Sequence, residues 1–183
     1  MEVDIERIPA AASYPLRQAV LRPHQRVDEV AFPEDADPET VTFAAIDQAD
    51  GAVVGVATIF REKAPLDAAG ARAEAEAEAG AMLGAGALLG AGALLGAGDE
   101  ARTWRLRGMA TREDARSQGI GSRVLTAALD YVAAEGGKLV WCNARVRAVP
   151  FYERAGFRTR GTVWVVPFSG PHVFMWRAIA TEP

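Results

Sequence analysis

The chain has 183 residues, 20 of them basic and 24 acidic, for a formal net charge of −4; this size points to one domain that buries its own core. Half of the residues are apolar and 24% are charged, the balance of a globular protein rather than a disordered or fibrous one. A mildly acidic chain lacks the field that draws in nucleic acid, and one cysteine (Cys142) with two histidines (His24 and His172) excludes an internal disulfide, a cysteine-built zinc cage and a histidine-rich metal site.

The first ten residues carry Glu2, Asp4 and Glu6 where a secretory leader needs basic and then apolar residues. With the lone thiol this suggests a reducing, cytoplasmic setting. Pro15–Leu21 reads as a short helix, with proline near its first turn and Pro23 just beyond its end. A second short helix is expected over Val27–Phe32, closed by Pro33, followed by a solvated acidic loop at Glu34, Asp35, Asp37 and Glu39. Val41–Ile46 and Val53–Phe60 are apolar runs joined through Asp50-Gly51, the pattern of an antiparallel hairpin.

Residues 67–98 break this composition. An Ala/Glu alternation gives way to G-A-G-A-L-L repeated at a six-residue step, and Ala79–Gly98 holds no charge over twenty residues. That length could span a bilayer, and Gly80/Gly84 and Gly86/Gly90 have the small-xxx-small spacing of membrane helix contacts. Against this, seven of the twenty residues are glycine, each costing a helix about 1 kcal/mol relative to alanine. A six-residue step also rotates each Leu-Leu pair by roughly 240° at ~100° per residue, so no apolar face persists. Gly84-x-Gly86-x-x-x-Gly90 imitates a dinucleotide loop, but A-E-A-E-A-E-A-G precedes it in place of a buried strand. The stretch is read as a low-complexity surface insertion within a single domain covering residues 1–183.

Beyond it, Thr103–Thr111 alternates Trp104 and Leu106 with Arg105 and Arg107, a strand. A helix is expected from Gly121 or Ser122 to Glu135, with Val124, Leu125, Ala128, Leu129 and Val132 on one face and Gly136-Gly137 at its end. Lys138–Asn143 reads as a strand, Ala148–Ala155 as a short helix before Gly156, and Phe157–Val166 and His172–Ile179 as closing strands. The order β-β-β-α-β-α-β-β predicts an α/β or α+β sheet with helices on its faces.

The chemistry concentrates in Arg116-Ser117-Gln118-Gly119-Ile120-Gly121, between a strand and an amphipathic helix. A helix start leaves backbone N–H groups unpaired and carries about half a positive charge. Glycines there let an oxyanion approach those groups directly, and Arg116 adds a fixed charge. No Gly-Lys-Ser/Thr follows, so the expected ligand is a pyrophosphate that is bound and not cleaved.

This R-x-x-G-x-G loop and the run A-x-x-F-Y-E-R-A-G-F at Ala148–Phe157 together resemble the GNAT superfamily of N-acetyltransferases, over roughly residues 16–179 apart from the insertion. The resemblance implies a mixed, mostly antiparallel sheet of about seven strands flanked by about four helices. It also implies acetyl-CoA as acyl donor, no metal, and a primary amine as acceptor: of a small molecule first, of a protein N-terminus or lysine second. A non-catalytic acyl-CoA-binding module is the alternative from another class, and a homodimer is allowed.

By the same resemblance, backbone groups of Met109, Ala110 and Thr111 would pair with the pantetheine arm. Arg116, Ser117, Gln118, Gly119, Ile120, Gly121 and Ser122 would hold the pyrophosphate, and Tyr152 would face the thioester sulfur. A phenol with pKa about 10 gives a proton uphill to a thiolate whose acid has pKa about 8.5, so a hydrogen bond that strengthens as charge appears on sulfur is the expected help.

Two departures stand out. Arg145 occupies a position where the family commonly has asparagine, with Asn143 two residues before it, and Thr103–Thr111 lacks the carboxylate that many members carry there. The base is therefore unassigned among His24, Glu29, His172 and a water chain held by Asn143, while Cys142 reads as a small buried residue. Arg105 and Arg107, two apart on one strand, should share a sheet face. With Arg145 they suggest an acceptor whose own anion is clamped by Arg107 or Arg145; ion pairs with Glu113, Asp114 or Glu153 are the competing expectation.

Overall fold

The computed structural model describes residues 1–64 and 102–179; the low-complexity stretch at 67–98 lies outside them. Seven strands form one sheet: β1 (Val3–Ile8), β2 (Val41–Asp47), β3 (Val53–Arg61), β4 (Thr103–Thr111), β5 (Leu139–Arg145), β6 (Arg158–Val166) and β7 (Gly170–Ala178). Their spatial order is β1-β2-β3-β4-β5-β7-β6. Every neighbouring pair is antiparallel except β4 and β5.

The described residues hold three α-helices, α1 (Tyr14–Leu21), α2 (Ile120–Ala134) and α3 (Val149–Arg154). Helix α2 is the crossover that parallel strands β4 and β5 require. Its apolar stripe of Val124, Leu125, Ala128, Leu129 and Val132 is buried against the sheet face carrying Phe43, Ala45, Ala57, Trp104 and Leu106. Helix α1 covers the opposite face, where Leu16 packs on Ala44, Val56 and Ala110.

The structure corrects three sequence expectations. Val3–Ile8 pairs with β2 along its length, a strand absent from the sequence reading because so short and charged a segment gains its place only from its neighbour. Val27–Val30 is a single 3₁₀ turn rather than a helix. The acidic segment is a solvated loop only at Asp37 and Glu39: Pro33–Ala36 forms another 3₁₀ turn, and Asp35 accepts two hydrogen bonds from Arg17, at 2.6 and 3.1 Å, with both side chains buried. Thr58 Oγ1 takes a third from Arg17 at 2.5 Å. A buried guanidinium is tolerable only when so paired.

That ion pair seats the turn under the one irregularity in β4. Opposite β3 the register runs Val56↔Ala110 and then Thr58↔Arg107, so β4 carries one extra residue. Gly108 takes φ +65° there, and a Cβ on it would stand 3.0 Å from Arg17 Nε and 3.1 Å from Phe32 Cε2. Both the backbone angle and the space require glycine.

Candidate active site

The bulge reverses which residues of β4 face which side. Before it, Trp104 and Leu106 pack under α2 while Arg105 reaches Trp141 and Arg107 reaches Phe32 on the α1 side. After it, Ala110 faces α1, whereas Met109 and Thr111 approach the start of α2. Leu106 and Ala110, four residues apart, thus face opposite sides of the sheet, which strict alternation would forbid.

Strand β5 pairs with β4 at Thr103↔Leu139, Trp104↔Val140 and Arg105↔Trp141 only. Beyond that point the two strands part, and a cleft of about 610 Å³ opens between them. Arg105–Thr111 of β4 and Cys142, Asn143 and Arg145 of β5 form its walls; Arg116, Phe151, Tyr152 and His172 also line it. Unpaired strand edges are ready partners for an extended amide-bearing ligand.

At one end of the cleft, α2 begins at Ile120 with Gly119 as N-cap and no side chain capping it. Its first backbone bond runs from Arg123 N–H to the Gly119 carbonyl at 3.0 Å, so the amides of Ile120, Gly121 and Ser122 precede the helical ladder. The two glycines serve for different reasons. Gly119 needs its φ of +76° although a Cβ there would meet nothing within 4 Å; Gly121 needs space, since a Cβ would sit 3.1 Å from Thr111 Oγ1. Ser117 is also left-handed, at φ +61°. Arg116 bends back, its Nε donating to the Thr111 carbonyl at 3.3 Å. Gln118 is turned away: its amide donates to the Asp114 carbonyl at 2.8 Å and its oxygen accepts from the N-terminal amine.

Tyr152 on α3 is buried, edge-on to Phe151 and Phe157 at 5.0 and 5.4 Å. Burial, and next the neighbouring Cys142, push its phenol well above the usual tyrosine range. It therefore stays protonated and is able to donate. Burial also pushes the Cys142 thiol up to about 12, leaving it no thiolate character near neutrality.

Both groups hold their protons more tightly folded than unfolded. Their stabilising effect is complete below about pH 8.5, where the unfolded thiol begins to ionise, and is lost as pH rises towards 12. Stability should thus fall above pH 9, by up to a factor of ten in the folding equilibrium per pH unit from Cys142 alone. Urea titrations between pH 8 and 11 check this; Cys142→Ala should make the fall shallower.

The arginines are sorted by their partners. Arg105 pairs with both oxygens of Glu62, at 3.0 and 2.8 Å, and lies over Trp141. Arg107 pairs with Glu34 at 3.1 Å and lies 3.8 Å from the Phe32 ring centre; burial and then Arg105 lower its pKa. These acids replace the expected partners Glu113, Asp114 and Glu153, and they compromise Arg107 as a free clamp. Arg145 donates instead to the Leu21 carbonyl, at 2.6 Å.

Of the four candidate bases, His172 and Asn143 line the cleft. His24 stacks on Phe168, and Glu29 accepts from the Arg26 amide at 2.8 Å. His172 Nδ1 lies 2.8 Å from the Gly170 carbonyl oxygen. A carbonyl only accepts, so Nδ1 carries the hydrogen and Nε2 of the neutral ring keeps its lone pair. Among the described residues no group of acids, histidines and cysteine is arranged to hold a metal ion. No helix among them is long and apolar enough to cross a membrane.

Comparison with known proteins agrees with this geometry. The model of the Acetyltransferase (GNAT) family matches residues 10–157. The uncharacterized N-acetyltransferase YitI of Bacillus subtilis strain 168 is 26% identical over 180 residues, covering 98% of this chain and 99% of that protein. Among solved structures, the ribosomal-protein-S18-alanine N-acetyltransferase of Escherichia coli superposes with a TM-score of 0.64 at 15% identity, covering 100% of this chain and 97% of that one. An aminoglycoside 6'-N-acetyltransferase complexed with coenzyme A gives 0.59 at 16% identity, covering 98% and 99%. At such identities the structural likeness speaks for the fold alone.

Proposed function

The chain belongs to the GNAT family of acetyltransferases, and we propose that it moves an acetyl group from acetyl-CoA to the primary amine of a small molecule by direct attack on the thioester. The observation that carries this reading is the uncapped start of α2 opening onto the parted strands β4 and β5, with Tyr152 in the same cleft. Three unpaired amides, the helix dipole and Arg116 suit a diphosphate. The free edge of Met109–Thr111 suits the amide-bearing pantetheine arm. Ser117 and Gln118 contribute through their backbone, since the Gln118 side chain is engaged elsewhere.

In the reaction the amine nitrogen bonds to the acetyl carbon, the carbon–sulfur bond breaks, and the thiolate of coenzyme A leaves. Tyr152 O–H donates to the sulfur as charge gathers there. His172 Nε2 accepts the proton that the attacking nitrogen must lose, and Asn143, beside it in the cleft, orients the acceptor. The setting is a reducing, cytoplasmic one, and a homodimer is compatible with the fold.

Release of free thiol from acetyl-CoA, dependent on added amine, tests the reading over an amine panel. No release with any amine, despite acetyl-CoA binding, would leave a non-catalytic acyl-CoA module, the reading favoured by the want of a carboxylate among the described residues that line the cleft. His172→Gln should lower kcat about tenfold at pH 7, less than the full worth of a general base because water held by Asn143 can relay the proton. Its rate should keep climbing with pH towards the amine's own range, about 10. A profile identical to wild type would remove His172 from this role.

A further inference from the structure

Resting on the acetyl-transfer reading, we infer that the acceptor is an acidic amine, whose carboxylate is held by Arg22 and Arg145 where the end of α1 meets the end of β5. The two side chains converge from distant parts of the chain. Arg145 Nη2 donates to the carbonyl of Leu21, the last residue of α1, and Arg22 follows it directly. Arg22 Nη1 in turn donates to Gln25 Oε1 at 3.2 Å. Both of these partners are neutral, and both arginines line the cleft.

The charge balance of the cleft sets this pair, with Arg147 beside it, apart from the other arginines. Arg105 and Arg107 are neutralised by Glu62 and Glu34. Arg116 belongs with the start of α2. Arg22 and Arg145 make no ion pair among the described residues, and no aspartate or glutamate among those residues lines the cleft.

The pair is also close enough to repel. Burial, then Arg147 and Arg22, lower the pKa of Arg145. Two half-buried guanidinium groups held together without a counter-charge are costly until an anion arrives. The Phe32 ring helps hold the arrangement, with Arg22, Arg17 and Arg107 centred 5.7, 4.4 and 3.8 Å from it. Each guanidinium donates one hydrogen bond to the protein, so N–H donors remain in the fork geometry that binds a carboxylate through two oxygens.

The arrangement also serves the chemistry. A nucleophilic amine must be uncharged, and cations nearby disfavour its ammonium form. Arg145 sits opposite His172 in the β5–β7 register, so an acceptor anchored there by its acid brings its amine beside the proposed base.

The test compares amino acids with their C-terminal amides under saturating acetyl-CoA. Acids should show kcat/KM at least about tenfold higher, the worth of one charge-assisted contact. In Arg22→Gln and Arg145→Gln that ratio should collapse towards one. Equal turnover of acids and amides by wild type would overturn the inference.

So would weaker binding of coenzyme A in both variants that disappears with 3'-dephospho-coenzyme A, because the arginines would then serve the cofactor's phosphate. If no amine is turned over, thermal shifts of the coenzyme A complex by N-acetyl amino acids and by their amides decide instead. Stabilisation by the acids alone, lost in both variants, upholds the anion site while the transfer reading fails. Equal shifts sink the site as well.

Discussion

Replacing Gly121 with glutamate should abolish acetyl-CoA binding while leaving the protein folded. Gly121 is the second residue of α2, and its Cα faces Thr111 so closely that a Cβ would stand 3.1 Å from Oγ1, with Met109 Cε and Phe151 Cε2 each at 3.6 Å. These neighbours belong to the cleft, so a side chain here fills the space in front of the unpaired amides. A carboxylate in that space also satisfies the amides and the dipole from within, as an anionic residue in the first helical turn does. The incoming diphosphate then loses its donors and meets a like charge.

The measurement is the thermal shift with ligand. At a hundred times its Kd, a ligand adds about 2.7 kcal/mol to the stability of the wild-type protein. For a chain of this size that raises Tm by roughly 5–10 °C. In Gly121→Glu the shift should vanish at the same concentration, with the ligand-free Tm lowered by little, because the favourable charge at the helix start offsets the crowding. A retained shift would mean that coenzyme A is held elsewhere. Gly119→Ala should act differently, through its φ of +76° rather than through space, and should cost stability before affinity.

Tyr152→Phe should lower kcat by about 10²–10³-fold, the worth of one donor aimed at developing charge, with KM for acetyl-CoA nearly unchanged. The ring packs between Phe151 and Phe157, and phenylalanine preserves those contacts. Only the hydroxyl goes. Because the phenol is pushed well above its ordinary range by burial, the wild-type rate should show no alkaline limb assignable to this residue below pH 10. Steady-state kinetics from pH 6 to 10 check both statements. Equal kcat in the two proteins would leave Tyr152 as a core aromatic and move the departing sulfur's donor elsewhere.

What could be read along the chain was what is written locally. The glycines at 119 and 121 and the run at Ala148–Phe157 mark the end of the cleft proposed for the cofactor, because a strand-to-helix turn is specified by a few consecutive residues. Helix α2 is equally local, its stripe repeating over fifteen residues. Strand β1 had a signal too, in Val3 and Ile5 alternating with Asp4 and Glu6, but a short charged strand gains its place only from β2 beside it. The reversal of faces in β4 was hidden, since Gly108 read as one more strand residue until β3 supplied the register that makes it a bulge.

The end of the cleft proposed for the acceptor was the least legible. Arg107 and Arg145 stood out as cations, but Arg22, 123 residues before Arg145, carried no mark of its own. Which arginines are neutralised depends on Glu34 and Glu62, whose nearness to β4 is set by packing.

By itself, then, the amino-acid order determined the class of fold, the amphipathic crossover helix and the glycine-built turn at its start, because these depend on repeats and turns spanning a few residues. Only the tertiary structure decided that β4 and β5 part beyond Arg105 and Trp141, that His172 and Asn143 rather than His24 or Glu29 reach the cleft, and that Arg22 and Arg145 lack an acid among the described residues. The physical reason is that charge pairing and strand register are settled between segments far apart in the chain. The free energy of each such contact exists only once the sheet has brought its partners together.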